Sequence, residues 1–179
     1  MLIRTYATFW NPQLVNWGRP GAGNKGQLLG TTEDEGKNKK KPAHVDAWNG
    51  AGIYVLFHDF RPIYIGKAVD TCVGLRLRNH LADRFAQRWD AFSFYLVNKV
   101  NTVGQRLADT PGTRNVSAAE IVNTLESMLI DLANPPLNRK RESIPEASHL
   151  DQVMPQDHRG IQDYLELILA KPEKPNGNA

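Results

Sequence analysis

Two apolar segments separated by a short turn constrain the fold more than any other feature of this sequence. Residues 53–57 (IYVLF) and 62–65 (PIYI) are rich in β-branched and aromatic side chains, which favour strands. The four residues 58–61 separate them, and this spacing predicts an antiparallel hairpin. Residues 92–97 (FSFYLV) predict a third strand, and residues 71–84 predict a helix between the hairpin and that strand.

A second helix is predicted after residue 117. Ser117 and Glu120 have the spacing of a capping box, which satisfies backbone N–H groups in the first turn of a helix. Apolar residues then recur at helical spacing as Ile121, Leu125, Met128, Leu129 and Leu132. Pro135 and Pro136 end this helix because proline cannot continue it. The elements together predict an α+β fold, in which a small antiparallel three-stranded sheet is flanked by helices.

The composition divides the chain into three regions. Residues 1–49 are predicted to hold a segment that packs back on the domain and, at 18–42, a mobile basic arm rich in Gly and Lys. Residues 50–141 hold the predicted hairpin, the third strand and both helices. Residues 142–179 are predicted to form an amphipathic helix and a disordered tail. The apolar positions of that helix are Ile161, Tyr164, Leu165, Ile168 and Leu169.

The charge of the chain is unevenly distributed. Residues 1–141 hold 19 Lys and Arg against 12 Asp and Glu, whereas residues 142–179 hold 3 against 7. A polyanion such as nucleic acid is therefore expected to bind the first 141 residues. This asymmetry alone is equally compatible with chance.

The composition also argues against several classes of protein. At 41% hydrophobic and 23% charged residues, the chain has the composition of an ordinary globular protein. It contains no apolar run long enough for a transmembrane helix, and its first residues lack the pattern of a signal peptide. The single cysteine, Cys72, has no partner for an internal disulfide or a CxxC zinc site. We therefore expect a cytoplasmic protein without a membrane partner.

Glu126 is a candidate functional residue because of its position on the second predicted helix. On a helical wheel it lies roughly 115° from the centre of the apolar stripe. Val122, Ile130 and Ala133 lie on the same flank, so the flank is partly apolar. A carboxylate that borders a cleft is expected in such a setting, although an ordinary exposed helix residue is the alternative.

Five short motifs follow one another in the central region. Gly52-Ile53-Tyr54 lies in the first predicted strand and Tyr64-Ile65-Gly66 in the second, with Lys67 directly after it. The element 76–80 (RLRNH) lies in the first helix, Leu125-Glu126 in the second, and 134–138 (NPPLN) follows. In this order and on these elements, the motifs resemble the GIY-YIG nuclease superfamily over residues 50–141. GAGIY followed by PIYIGKAV is most similar to its compact restriction-endonuclease branch.

The resemblance implies roles for the aromatic and basic residues. Tyr54 is the implied general base or water-activating group, Tyr64 its partner, and Arg76 a clamp on the phosphate in the transition state. Arg76 is preferred to Arg78 because R-x-x-x-H is the family spacing, which ends here at His80. Whether Tyr54 takes the proton itself or relays it stays open, since a free phenol titrates near 10.

The resemblance also implies a metal site and auxiliary groups. Glu126 is the implied single protein ligand of one Mg²⁺ or Mn²⁺ ion, and water and phosphate oxygens would complete the shell of this hard ion. Lys67 and His80 are implied auxiliary residues near the attacking water or the phosphate. Asn138 is implied to orient the phosphate or to act behind the residues that contact it.

Other basic residues are expected to bind the DNA backbone. Arg78 faces away from Arg76 on the predicted helix, and further cations lie in the arm and in the polar segment 98–116. These candidates are Lys37, Lys39, Lys40, Lys41, Arg106 and Arg114. The usual alternative for such a charge run is a solvated surface.

Three functions follow as hypotheses. The first is a metal-dependent DNA endonuclease in a restriction or anti-phage setting, acting as a homodimer or with a recruiting protein partner. The second is a nuclease of DNA repair or recombination that recognises the structure of its substrate. The third is a DNA-binding module that keeps the fold but does not cut, which is disfavoured because Tyr54, Arg76 and Glu126 are all present.

Overall fold

The computed structural model describes residues 2–18, 25–32, 43–101, 103, 105–109, 115–133, 137, 144 and 146–153. The strands are β1 (Thr5–Trp10), β2 (Asn16–Gly18), β3 (Lys25–Gln27), β4 (Leu29–Thr32), β5 (Ala43–Asp46), β6 (Gly52–His58), β7 (Arg61–Ala68), β8 (Ala91–Leu96), β9 (Val100–Asn101), β10 (Arg106–Leu107) and β11 (Ser148–Gln152). The helices are α1 (Val73–Asn79) and α2 (Ala118–Ala133), and a 3-10 turn covers Pro12–Leu14.

Nine of the described strands form one mixed sheet. Their order is β7-β6-β8-β1-β11-β4-β5-β10-β9, and β2 pairs with β3 in a separate two-stranded sheet. The pairs β1–β11 and β5–β10 are parallel, and the other pairs in the large sheet are antiparallel. The prediction of a small three-stranded sheet flanked by helices is therefore wrong. The predicted three strands exist as β7-β6-β8, but they form one edge of a sheet three times as wide.

The sheet is wider than predicted because strands from both ends of the chain join it. β1 lies between β8 and β11, and the indole Nε1–H of Trp10 donates to the carbonyl of Leu150 across 140 residues of sequence. Gly30 of β4 allows this contact, since an added Cβ would lie 2.8 Å from the Cβ of Leu150 and 3.0 Å from the Trp10 ring. The N-terminal segment thus supplies a central strand of the sheet.

Several local predictions are confirmed and others change. β6 and β7 pair as an antiparallel hairpin, whose turn residues Asp59 and Phe60 both have positive φ. The backbone N–H of Glu120 donates to the Ser117 hydroxyl at 3.2 Å, as the capping box predicts. The helix predicted at 71–84 is shorter, and residues 25–32, which were predicted to be part of the arm, form β3 and β4.

The two helices pack on opposite faces of the sheet. Along β6, Tyr54 and Leu56 belong to the core on one face, with Val73 and Leu77 of α1. Val55 and Phe57 belong to the core on the other face, with Met128 of α2. The alternation of side chains along a strand therefore determines which helix each residue of the hairpin can reach.

Neither described helix is both long and apolar enough to cross a membrane. The predicted C-terminal helix at 161–169 lies outside the described residues.

Candidate active site

The hairpin brings the two predicted phenols together on the face covered by α1. Tyr54 of β6 is fully buried and Tyr64 of β7 is half-buried. Their ring centroids lie 6.1 Å apart. Gly66 faces Tyr54 across the strand pair, and a Cβ at Gly66 would overlap Cζ and the hydroxyl of Tyr54. The glycine of the YIG motif therefore leaves the space that the first tyrosine occupies.

Helix α1 adds Arg76 and His80 to the phenols. The helix is fixed at its start by two hydrogen bonds, from the N–H of Val73 to the Gly50 carbonyl at 2.9 Å and from that of Gly74 to the Trp48 carbonyl at 3.0 Å. His80 follows the last helical residue and is buried. Its Nε2 lies 2.8 Å from the Tyr54 hydroxyl, and its ring meets Tyr64 edge-on at 5.2 Å. We call Tyr54, Tyr64, Arg76 and His80 the phenol cluster.

The environment of the phenol cluster keeps Tyr54 neutral and Arg76 charged. Burial raises the pKa of Tyr54 to about 12, and the hydrogen bond with Arg76 opposes part of that rise. The same contact with Tyr54 raises the pKa of Arg76 further above its already high value. At neutral pH, Tyr54 is therefore a hydroxyl donor and Arg76 a permanent cation.

One hydrogen-bond donor of Arg76 has no acceptor within the described part of the chain. Its side chain is half-buried, and its Nε–H is buried without a hydrogen-bond partner there. Buried polar groups in native proteins are nearly always paired, so an unpaired guanidinium N–H is expected to have an acceptor in the working complex.

Asp83 contacts the phenol cluster and was not predicted from the sequence. Its Oδ2 lies 2.6 Å from Nδ1 of His80, while its Oδ1 accepts the backbone N–H of Phe85 at 2.8 Å. Burial acts to raise the pKa of this carboxyl, but the Phe85 N–H and then His80 and Arg84 outweigh it, so the pKa is lowered. The i, i+3 spacing of His80 and Asp83 was the one sequence signal for this contact. It was missed because the helix was expected to run to residue 84, whereas Asp83 lies in a turn after α1.

The structure does not bring Glu126 or Lys67 into the phenol cluster. Glu126 is exposed on α2, which packs on the opposite face of the sheet. Lys67 is exposed on β7. Side chains alternate between the two faces along a strand, so Lys67 points to the face opposite to that of Tyr64 and Gly66. Among the described residues, Asp83 is the carboxylate that contacts the phenol cluster, and it is already bonded to His80 and Phe85.

The residues of the phenol cluster do not fit a Mg²⁺ site. This ion prefers oxygen ligands in an octahedral shell, whereas the phenol cluster offers two phenols, an imidazole and a guanidinium. In the described ranges, no group of three or more His, Cys, Asp or Glu is placed to hold a metal ion. We therefore derive no catalytic step from a metal, and Glu126 as its ligand stays a prediction.

The predicted DNA-binding residues are widely separated. Arg78 is half-buried on α1, two residues after Arg76, and Arg106 is exposed on β10, near the opposite edge of the sheet. Lys37, Lys39, Lys40, Lys41, Arg114 and the predicted active-site residue Asn138 lie outside the described residues.

Comparisons with protein families, curated proteins and solved structures gave no match. The resemblance to GIY-YIG nucleases therefore depends on the sequence motifs alone.

A cavity of about 520 Å³ opens over β1, β4 and β5, where Trp10, Leu29 and His44 line it. It contains none of the predicted site residues.

The chemistry that the phenol cluster offers is proton transfer next to a fixed positive charge. A buried hydroxyl lies 2.8 Å from an imidazole nitrogen, and beside them lies a guanidinium whose Nε–H has no partner among the described residues. Hydrolysis of a phosphate ester needs both functions, since a water must lose its proton and the non-bridging oxygens need charge stabilisation.

Proposed function

We propose that this chain is a DNA endonuclease of the GIY-YIG type, which hydrolyses phosphodiester bonds at the phenol cluster. The observation that carries the proposal is the convergence of four motif residues on one sheet face. They come from two strands and one helix, and alternation along the strands excludes the intervening residues from the same face. A chance occurrence of the tripeptides would not require the four side chains to meet.

Arg76 is the group that we expect to bind the scissile phosphate. Its buried Nε–H has no partner among the described residues, and its side chain lies against both phenols. A guanidinium binds phosphate oxygens in a bidentate geometry and keeps its charge at every accessible pH. The phosphate would therefore bind at the half-buried rim formed by Arg76 and Tyr64, above Tyr54.

Tyr54 acts as a proton relay in this proposal. It is fully buried, its pKa is raised to about 12, and its hydroxyl lies 2.8 Å from Nε2 of His80. A phenol with so high a pKa is not a phenolate at neutral pH, so it accepts a proton from water only as it passes its own to His80. His80 thereby becomes the terminal acceptor.

Metal dependence and the biological setting are separate parts of the proposal. The requirement for one Mg²⁺ or Mn²⁺ ion, with Glu126 as ligand, rests on the motif resemblance and has no support from the geometry. A restriction or anti-phage role is favoured by the likeness of GAGIY and PIYIGKAV to the compact restriction branch. A partner beyond DNA is not needed for the chemistry at the phenol cluster.

The proposal is tested by incubating the full chain with supercoiled plasmid, with Mg²⁺, with Mn²⁺ and with EDTA. We expect conversion to nicked and linear forms with either ion. Sequencing of the ends would then separate a fixed target sequence from a preference for branched or damaged DNA. The absence of cutting under every ion, with DNA binding retained in a gel-shift assay, would contradict the nuclease proposal.

A DNA-binding module that does not cut is the second candidate, and one observation favours it. Glu126, the residue implied to bind the metal, is exposed on the helix of the opposite face. If Glu126 and the phenol cluster stay on opposite faces when DNA binds, Arg76 binds phosphate without the metal ion that the motif resemblance implies.

A further inference from the structure

We propose that Asp83 is a positioning residue that sets the tautomer of His80 and thereby the direction in which the Tyr54 proton moves. The inference rests on the proposed nuclease function and assigns to that site a residue outside the motifs. It is carried by a chain of two short hydrogen bonds, 2.8 Å from Tyr54 Oη to His80 Nε2 and 2.6 Å from His80 Nδ1 to Asp83 Oδ2.

The order of donors along this chain follows from Asp83. Its pKa is lowered, so it is a carboxylate at neutral pH and only accepts hydrogen bonds. Nδ1 of His80 must then carry the proton, and in neutral imidazole this leaves Nε2 as an acceptor. The hydroxyl of Tyr54 therefore donates to Nε2, which is the direction that the relay requires.

The second oxygen of Asp83 fixes the carboxylate in this orientation. Oδ1 accepts the Phe85 N–H at 2.8 Å, so Oδ2 is the oxygen presented to His80. The ring of Phe85 packs against His80 with centroids 5.3 Å apart, and the indole of Trp89 donates to the His80 carbonyl at 3.4 Å. Backbone and ring contacts thus hold both partners of the pair.

Two other His–Asp pairs in the described residues lack this arrangement. His58 and Asp90 lie 3.4 Å apart with side chains 64% and 53% exposed. His149 and Asp151 lie 3.5 Å apart with side chains 39% and 54% exposed. The pair His80–Asp83 has the shorter distance, a histidine side chain only 6% exposed, and a tyrosine on the second ring nitrogen.

The proton balance of the proposed step is closed. The oxygen of the attacking water bonds to phosphorus, and the bond from phosphorus to the leaving oxygen breaks. The water proton passes to the oxygen of Tyr54, while the Tyr54 proton passes to Nε2 of His80. The imidazolium, stabilised by the Asp83 carboxylate, later returns this proton to solvent, and the leaving oxygen takes one from solvent.

Asp83→Asn tests the inference because it reverses the hydrogen bonds with little change in shape. The asparagine carbonyl is expected to keep the Phe85 N–H, which places the amide NH₂ against Nδ1 of His80. Nδ1 must then accept, Nε2 carries the proton, and Tyr54 changes from donor to acceptor. Asp90→Asn is the matched control, since Asp90 Oδ2 likewise meets a histidine Nδ1 and accepts a backbone N–H, that of Asp59.

The experiment combines long-range ¹H–¹⁵N NMR of the histidine rings with steady-state DNA cleavage, on the full chain. The His80 signals are assigned by their loss in His80→Gln. In wild type and Asp90→Asn we expect the proton on Nδ1 of His80, and in Asp83→Asn on Nε2. We expect kcat to fall about 100-fold in Asp83→Asn with KM within about twofold, while Asp90→Asn cuts as wild type.

Two results would overturn the inference. One is an Asp83→Asn protein in which Nδ1 of His80 stays protonated, and the other is one that cuts as fast as Asp90→Asn. A wild type that never cuts DNA contradicts the nuclease proposal instead, and a tautomer switch seen in that case still supports the role of Asp83 toward His80. Equal melting temperatures of the two variants exclude misfolding as the cause of lost activity.

Discussion

The Tyr54 hydroxyl and Nε2 of His80 lie 2.8 Å apart, and both residues are buried. This contact joins the first tripeptide of the hairpin to the end of α1, which are separated by 26 residues in the sequence. Because a buried pair of this kind is held by the packing around it, variants that alter its neighbours have predictable consequences.

Arg76→Ala should abolish most of the cleavage activity, whereas Arg78→Ala should not. Arg76 contacts the phenols and its Nε–H has no partner in the described ranges, so its loss removes charge stabilisation from the transition state. We expect kcat to fall by roughly 10²- to 10³-fold, the usual effect of removing one such donor. Arg78, two residues along the same helix, should change KM only, through the DNA backbone. Equal losses of kcat in both variants would contradict the assignment of Arg76.

Gly66→Ala should destabilise the fold and disturb the phenol cluster together. The added methyl group would overlap the Tyr54 ring, which has no free space since the residue is fully buried. Overpacking of a core typically costs about 1–3 kcal/mol, which lowers Tm by several degrees. Ile65→Ala is the control on the same strand, because Ile65 is 60% exposed. A Gly66→Ala protein as stable as Ile65→Ala would show that Tyr54 does not occupy this space.

The raised pKa of Tyr54 predicts a loss of stability at high pH. In the folded state the phenol keeps its proton up to about 12, whereas in the unfolded chain it ionises near 10. The unfolded state therefore binds fewer protons between these values, and stability falls as pH rises through this range. Denaturant unfolding from pH 9 to 12 should show a shallower fall in Tyr54→Phe than in wild type. The fall should not vanish, because burial also raises the pKa of Tyr6. Identical slopes would contradict the buried, neutral phenol.

Removal of metal tests the part of the proposal that geometry does not support. We predict from the motifs that EDTA stops cleavage and that Mg²⁺ restores it. Glu126→Ala should lose activity while its Tm stays within a degree or two of wild type, since the residue is exposed on α2. Glu120→Ala on the same helix serves as the control for activity. If Glu126→Ala cuts at the wild-type rate, Glu126 is not the metal ligand. That result would agree with the position of α2 on the face opposite to the phenol cluster.

The hairpin, α1 and the start of α2 were predictable because local signals specify them. β-branched runs, the turn between them and the Ser117 capping box each act within a few residues. The width of the sheet was not predictable in this way. β4 (LGTT), β5 (AHVD) and β11 (SHLDQ) are short and partly polar, and their pairing depends on partners distant in sequence.

The same distinction separates the parts of the candidate site. Tyr54, Tyr64, Arg76 and His80 were predicted by motif, and the structure brings them together. Asp83 lies in a turn where the sequence predicted a continuing helix, so its contact with His80 was not predicted. The face on which α2 packs follows from long-range contacts such as the 2.7 Å bond from Tyr95 to Asp131.

The measurement closest to the central claim is the single-turnover rate of DNA cleavage by wild type, Tyr54→Phe and Tyr6→Phe. Both tyrosines are buried strand residues, but Tyr6 belongs to the core on the opposite face of the sheet. We predict that Tyr54→Phe cuts at least about 100-fold more slowly than wild type, because the proton relay is broken, while binding DNA equally well. Tyr6→Phe should cut at the wild-type rate. Equal rates for wild type and Tyr54→Phe would contradict the claim that the phenol cluster performs the reaction.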